Sequence, residues 1–183
     1  MEKTSIPMDE KAFQRIIQFY LLECPVRVIN RVRKSKESAA PNGLQTHPKY
    51  NYYFSKVSQR GVTFADRGLD GPRLNAFRAA MKRVAATDIV LQSCDSVQLP
   101  ETSEEYLVVK TCEARVSITE GYFYCVRNAL AHGGFSVDEH GTYLFENFDK
   151  GKLKGVGRIK EATLLKWIDL FNMDYESIRN AGK

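Results

Sequence analysis

Three polar side chains interrupt an apolar segment in the second half of the chain. Arg127, Asn128 and His132 lie between Tyr122 and Gly134, where nearly every other residue is aromatic, aliphatic or small. A guanidinium can neutralise a phosphate oxygen, and an imidazole can donate or accept a proton near neutral pH. Held together, these two groups are suited to chemistry on a phosphodiester.

Arg127 has no charge partner on its own predicted helix. Its neighbours three and four residues away are Phe123, Tyr124, Leu130 and Ala131, none of which carries a carboxylate. A cation placed among apolar side chains is costly unless something from elsewhere meets it. Either another segment supplies an acid, or Arg127 faces a cleft that accepts an anionic ligand.

Helical spacing brings the three side chains to one patch. Asn128 and His132 are four residues apart and share one stripe of the helix, while Arg127 lies about 100° around the axis from Asn128. Gly133 and Gly134 follow and predict the end of the helix, because glycine is favoured just past a helix C-terminus. We therefore expect the patch at the helix's C-terminal end.

The string from Arg127 to His132 resembles the signature of the HEPN superfamily, an arginine, a polar residue, a few more residues and a histidine near the end of a helix. The resemblance is strongest over residues 102–135. It is similar in particular to stand-alone bacterial HEPN proteins of phage-defence and plasmid-borne systems. It implies a helical bundle and a homodimer in which two Arg/His sets form one composite cleft.

The resemblance also implies a metal-independent endoribonuclease without a cofactor. His132 would act as general base or acid, Arg127 would neutralise charge on the phosphorane oxygens, and Asn128 would orient His132 or a phosphate oxygen. The products would carry a 2′,3′-cyclic phosphate and a 5′-hydroxyl, and the setting would be phage defence or toxicity, with an antitoxin or regulatory partner. Gly134 stands where HEPN toxins controlled by AMP attachment carry tyrosine, so that control is not expected.

Two other interpretations stay open. Arg127 and His132 could be a structural pair, the arginine salt-bridged across the fold and the histidine capping helix carbonyls. The chain could also be a HEPN-like module that binds nucleotide, RNA or a partner protein without cleaving.

The net charge of +5 is a modest excess, but its cations are clustered. Concentrated basic groups attract polyanions such as RNA. Solubilising surface charge is the plainer interpretation of the same clusters. The residues predicted to contact RNA are Arg31, Arg33, Lys34, Lys152 and Lys154.

The four cysteines, at positions 24, 94, 112 and 125, contain no close pair of the kind that zinc sites use. We expect reduced thiols and no metal. No apolar run reaches the roughly 20 residues that span a bilayer, and the charged N-terminus does not resemble a signal peptide. These features predict a cytoplasmic protein that is not in a membrane.

Apolar periodicity predicts a mainly α protein. Helices are expected after Asp9 as N-cap and before Pro25, after Gly71-Pro72, over Asp88–Val97, from Thr102 to Ala131 with a break near Ser117, and around Trp167. Val28, Ile29 and Val32 indicate a further helical stretch.

The predicted β-structure is small. Tyr50–Phe54 and Gly61–Phe64 are candidates for one hairpin, and Phe135–Val137 with Thr142–Phe145 for another. Lys150–Gly157 is predicted to be a basic loop. The expected architecture is a HEPN-like bundle of four to five helices with short β-hairpin additions, as a single domain over residues 1–183.

Overall fold

The computed structural model describes residues 9–33, 50–56, 61–101, 104–111 and 117–181. Within these ranges the chain is a mixed α/β protein. The helices are α1 (Glu10–Ile17), α2 (Pro72–Val84), α3 (Ile118–Ala131), α4 (Glu161–Asn172) and α5 (Tyr175–Ala181), and a π-helical segment, Gln18–Glu23, continues α1. The strands are β1 (Arg27–Arg33), β2 (Tyr50–Lys56), β3 (Ile89–Cys94), β4 (Glu105–Lys110), β5 (Phe135–Val137), β6 (Thr142–Asp149) and β7 (Lys152–Lys160).

Five strands form one mixed sheet in the order β3-β4-β7-β6-β5. β3 and β4 are parallel, and the other pairs are antiparallel. β1 and β2 form a separate antiparallel pair. The expectation of a mainly α helical bundle with short β additions is therefore wrong.

Three predicted helical segments are strands instead. Ile89–Cys94 and Glu105–Lys110 are the parallel pair, and Arg27–Arg33 pairs with β2. Short apolar runs do not distinguish a buried strand from a helix by periodicity alone, and β-branched residues such as Ile89 and Val90 favour the strand. The predicted loop around Lys154 is also a strand, β7. In this strand Gly155 lies against Cys125 of α3, and Gly157 lies against Leu107 and Phe145 of the sheet.

The predicted helix ends are confirmed where local chemistry sets them. The Asp9 carboxylate caps α1 by accepting from the backbone N–H groups of Lys11 and Ala12. Pro72 is at the start of α2. The hairpin of β5 and β6 is confirmed, with Phe135 opposite Phe145. Gly61–Phe64 does not form a strand, so the hairpin predicted with Tyr50–Phe54 is wrong.

Buried Glu105 ties the start of β4 to two other segments. Its carboxylate accepts hydrogen bonds from the Thr87 backbone N–H at 2.9 Å, the Thr87 hydroxyl at 2.8 Å and the Lys160 backbone N–H at 2.8 Å. Three donors offset the cost of burying this carboxylate. Glu105 thus begins a strand, and the helix predicted from Thr102 begins only at Ile118. Ser117 and Glu120 form a capping box at the start of that helix, α3.

Phe123 of α3 lies at the centre of the core. Its ring centroid is 5.2–6.3 Å from five other aromatic rings, which belong to the α1 continuation, the loop before α2, α2 and α4. Aromatic pairs at these distances stabilise a core beyond the area they bury. The five partners are Phe19, Tyr20, Phe64, Phe77 and Trp167.

In the described part of the chain, no helix has the length and apolar character that crossing a bilayer requires.

We expect Phe123→Ala to lower the free energy of unfolding by about 3–5 kcal/mol, because it removes the ring that the other five contact. Tyr124→Ala is the matched control, since this neighbouring ring is exposed and exposed positions usually change stability by no more than about 0.5 kcal/mol. Urea unfolding measures both. Equal losses in the two variants would contradict the central place of Phe123.

Candidate functional site

The motif residues lie on the last two turns of α3, between the core and solvent. Phe123, Val126 and Leu130 are buried on one side of the helix, while Tyr124 and His132 are exposed on the other. Arg127 and Asn128 lie between these sides and are half-buried. The patch therefore lies at the boundary between the core and solvent.

The end of α3 fixes the position of His132. Gly134 N–H donates to the Ala129 carbonyl at 2.8 Å and Gly133 N–H to the Leu130 carbonyl at 3.4 Å. Gly133 has φ of +71°, so the helix ends in a Schellman motif with His132 as its C-cap. The predicted stop at the glycines is confirmed.

Gly134 also attaches this helix end to the sheet. Its carbonyl accepts from the Glu146 backbone N–H at 2.8 Å, and a β-carbon at Gly134 would collide with the Glu146 carbonyl. Only glycine allows this approach. The motif is therefore held at the edge of the sheet where β5 pairs with β6.

Arg127 contacts Asn128 but no acid. Its Nη1 donates to the Asn128 Oδ1 at 2.9 Å. Its Nε is buried and has no hydrogen-bond partner, and no carboxylate in the described ranges forms an ion pair with it. The sequence left two possibilities for Arg127, an acid from another segment or a cleft for an anionic ligand. The acid is not found among the described residues.

Cys24, which directly follows the π-helical segment, lies near Arg127. Burial raises the pKa of the Cys24 thiol to about 12, although a hydrogen bond from the Val26 backbone and the positive charge of Arg127 both lower it. Burial and the Cys24 charge also raise the pKa of Tyr20 well above its usual value, and the Tyr20 hydroxyl has no hydrogen-bond partner among the described residues. The Cys24 thiol therefore does not neutralise the nearby guanidinium.

The structure brings together only part of the predicted site. Arg127 and Asn128 are hydrogen-bonded, whereas the exposed His132 side chain makes no hydrogen bond to any described residue. Its backbone N–H donates to the Asn128 carbonyl at 3.0 Å. His132 is thus close along the helix but free to meet a ligand from solvent.

The predicted RNA contacts are distributed over other elements. Arg31 and Arg33 belong to β1, and Lys34 lies outside the described residues. Lys152 is exposed at the start of β7 and Lys154 follows two residues later. Lys154 is the extra residue of a β-bulge in β7, because Gly155 is opposite Asn147 and Leu153 is opposite Phe148.

Cys24 was not predicted as a neighbour of Arg127. It lies on the apolar stripe of the first helix, and that pattern indicates only core residues. Its proximity to Arg127 depends on tertiary packing, which no local pattern encodes. No signal in the sequence could have identified it.

One groove of the described residues lies away from the motif. It has a volume of about 530 Å³ and includes Leu22, Val62, Arg67 and Phe171, but none of the three motif residues. Among the described residues no cluster of three His, Cys, Asp or Glu side chains could hold a metal ion.

Comparison of the chain with protein-family models, with curated proteins and with solved structures finds no match.

We expect Arg127→Met to leave the free energy of unfolding unchanged or to raise it by about 1 kcal/mol, because the variant removes a desolvated N–H that has no acceptor. Arg15→Met is the control, since the exposed Arg15 pairs with Asp169 and exposed pairs contribute about 0–1 kcal/mol. Urea unfolding measures both. A loss of about 3–5 kcal/mol on removing Arg127 would show a buried ion pair instead.

Alkylation should modify Cys94 before Cys24 and Cys125. The two buried thiols have a pKa raised by burial to about 12, whereas Cys94 is only partly buried, and the thiolate is the reactive form. Iodoacetamide labelling at pH 8, with peptide mass mapping, measures the order. Labelling of Cys24 as fast as in urea would contradict its burial.

The same pKa shifts make stability depend on pH. Because the folded pKa of Cys24 and Cys125 exceeds the ordinary value of 9.0, their stabilising contribution is complete below pH 9 and is lost as the pH rises towards 12. Urea unfolding at a series of pH values should therefore show falling stability above about pH 9, and a smaller fall in Cys24→Ala.

Proposed function

We propose that this protein is a metal-independent endoribonuclease that cleaves RNA by attack of the 2′-hydroxyl, with Arg127, Asn128 and His132 as its catalytic residues. The observation that supports this most is the half-buried Arg127 guanidinium, which no described carboxylate neutralises. A cation kept in this state favours an anionic ligand. A phosphodiester supplies that anion.

Each side chain has a defined part in the proposed reaction. His132 removes the proton of the 2′-hydroxyl, whose oxygen then attacks phosphorus while the bond to the 5′-oxygen breaks. Arg127 stabilises the negative charge on the non-bridging oxygens. Asn128, whose carbonyl oxygen accepts from Arg127, holds the guanidinium in place. The products are a 2′,3′-cyclic phosphate and a 5′-hydroxyl.

The leaving 5′-oxygen needs a proton as well. In a homodimer, His132 of a second copy is suited to supply it, because the side chain is exposed at a helix end. The partners in this proposal are RNA and a second copy, with an antitoxin or regulatory protein as a further prediction. The cytoplasm is the compartment, and a role in phage defence or toxicity stays a prediction.

The proposal depends on side chains and not on a shared fold. The helical bundle implied by the HEPN resemblance is not the fold observed, since α3 packs on a five-stranded sheet. Similar sites occur on unrelated scaffolds, so the motif keeps its chemical meaning. The second candidate function is an RNA-binding module without catalysis, favoured by the absence of a hydrogen bond between the His132 and Arg127 side chains in the described structure.

Cleavage in excess chelator tests the proposal. We expect the intact protein to cut single-stranded RNA, and Arg127→Ala and His132→Ala each to lower the rate by about 10²–10⁴-fold, the usual contribution of acid–base catalysis. His140→Ala is the matched control, since this histidine is exposed in the β5–β6 turn. Gel electrophoresis of end-labelled RNA measures the rates.

The chemistry of the products is a second measurement. DNA and 2′-O-methyl RNA should survive, because neither has the internal nucleophile. Mass spectrometry should identify cyclic phosphate ends. Binding of RNA without cleavage by the folded, intact protein would favour the non-catalytic module, and activity that survives His132→Ala would exclude the proposed mechanism.

A further inference from the structure

One face of the five-stranded sheet is not used by the helices. Leu107 and Val109 of β4, with Tyr143 and Phe145 of β6, belong to the core that the helices cover. The alternate residues point the other way. We call this second side, made by alternate residues of β3, β4, β6 and β7, the outer face.

Strand pairing arranges the outer face in rows. In one row Tyr106, Arg158 and Leu144 are cross-strand neighbours, and in the next Val108, Val156 and Glu146 are neighbours. Val108 and Val156 are buried but lie outside the main core. The outer face thus has an apolar floor.

Aromatic and aliphatic groups on the outer face are accessible. Phe148 is 53% exposed and Leu144 is 39% exposed, and Tyr106 is partly exposed. Rings presented on a sheet are the surfaces on which unpaired bases stack.

Two cations of the outer face lack partners. Lys110 and Arg158 are exposed, and neither forms an ion pair with a described carboxylate. Lys160, at the end of β7, is paired with Glu104 at 3.0 Å. Glu146 is the acid in the two rows described above, so the face has a net positive charge.

We propose that the outer face binds single-stranded RNA, with Phe148 and Tyr106 stacking on bases and Lys110 and Arg158 contacting phosphates. Charge complementarity and exposed rings on one sheet face are the observations that favour this occupant. The inference rests on the proposed function for its class of ligand, but not on the catalytic residues.

The outer face reaches the edge that carries the motif. Glu146 of the second row donates its backbone N–H to Gly134, two residues after His132. A strand of RNA that crosses the sheet from β4 towards β5 therefore approaches the end of α3. The outer face would hold the substrate and α3 would supply the reacting groups.

Fluorescence anisotropy with a labelled single-stranded 2′-O-methyl RNA tests this, because such RNA binds without being cleaved by 2′-hydroxyl attack. We expect Lys110→Ala/Arg158→Ala to weaken binding at least tenfold and to reduce the slope of log K against log salt by about 1.4, which is about 0.7 for each phosphate that the variant no longer neutralises. Lys11→Ala/Lys166→Ala removes two exposed cations from the helical layer and should leave both values unchanged.

The proposed stacking of bases on the exposed Phe148 ring is tested separately. Phe148→Leu should weaken binding at least fivefold, since stacking of a base on an aromatic ring contributes about 1–3 kcal/mol, while Phe148→Tyr should retain it. Circular dichroism confirms that each variant is folded.

The outcomes separate this inference from the proposed function. If the outer-face variants bind like the intact protein, the inference is wrong, even where His132→Ala abolishes cleavage. If they bind weakly but the intact protein never cleaves, the RNA surface stands and the nuclease does not. If the intact protein cleaves RNA, we expect the outer-face variants to raise KM and to keep kcat, which a role in folding alone would not produce. No binding by the intact protein would overturn the inference.

Discussion

The packing of α3 between the aromatic core and the sheet is the constraint on which the site depends. Phe123 faces five rings on one side of the helix, and Cys125 lies against β7 at a position where only Gly155 leaves room. Close-packed interiors leave little freedom for a helix to rotate or slide. Arg127, one turn after Phe123, is therefore held at the boundary between core and solvent by residues that take no part in chemistry.

That boundary position has an energetic cost. The buried Nε of Arg127 and the buried hydroxyl of Tyr20 both lack hydrogen-bond partners in the described structure, and a buried polar group without a partner costs about 1–3 kcal/mol. Nearby Asn128 satisfies one other nitrogen of the guanidinium but adds no charge. Such local conflicts with the usual rules of folding are expected mainly at functional sites, so the same unpaired nitrogen that weakens the fold supports the proposal of an anionic ligand.

Local chemistry made part of this structure predictable. Asp9, Pro72 and Gly133 mark helix ends through capping, fixed φ and positive φ, and the structure has each helix end where these residues predict it. The β5–β6 hairpin follows from the turn residues at 138–141 in the same way. These features depend on a few neighbouring residues, so they can be predicted from a single sequence.

The sheet was missed because its determinants are not local. The apolar run of β4 is compatible with a helix until Glu105 is seen to bind Thr87 and Lys160, which lie 18 and 55 residues away. The glycines of β7 favour a loop when only the sequence is considered. The structure shows instead that Gly155 leaves room for the Cys125 side chain of α3. For the site, spacing predicted that Arg127 and Asn128 are close, but the proximity of Arg127 to Cys24 arises only from tertiary packing.

The location of the motif matters more for function than the class of scaffold. A helix that ends in a Schellman motif presents His132 outside the last turn, and the Gly134–Glu146 contact holds that end against a sheet edge. The outer face reaches the same edge with unpaired cations and exposed rings. In the proposed function, phosphate contacts provide affinity without chemistry and the imidazole provides chemistry with little affinity. A sheet surface that leads to a helix end would divide these two tasks between separate residues, and that division would let a motif with a single half-buried cation act on a long polyanion.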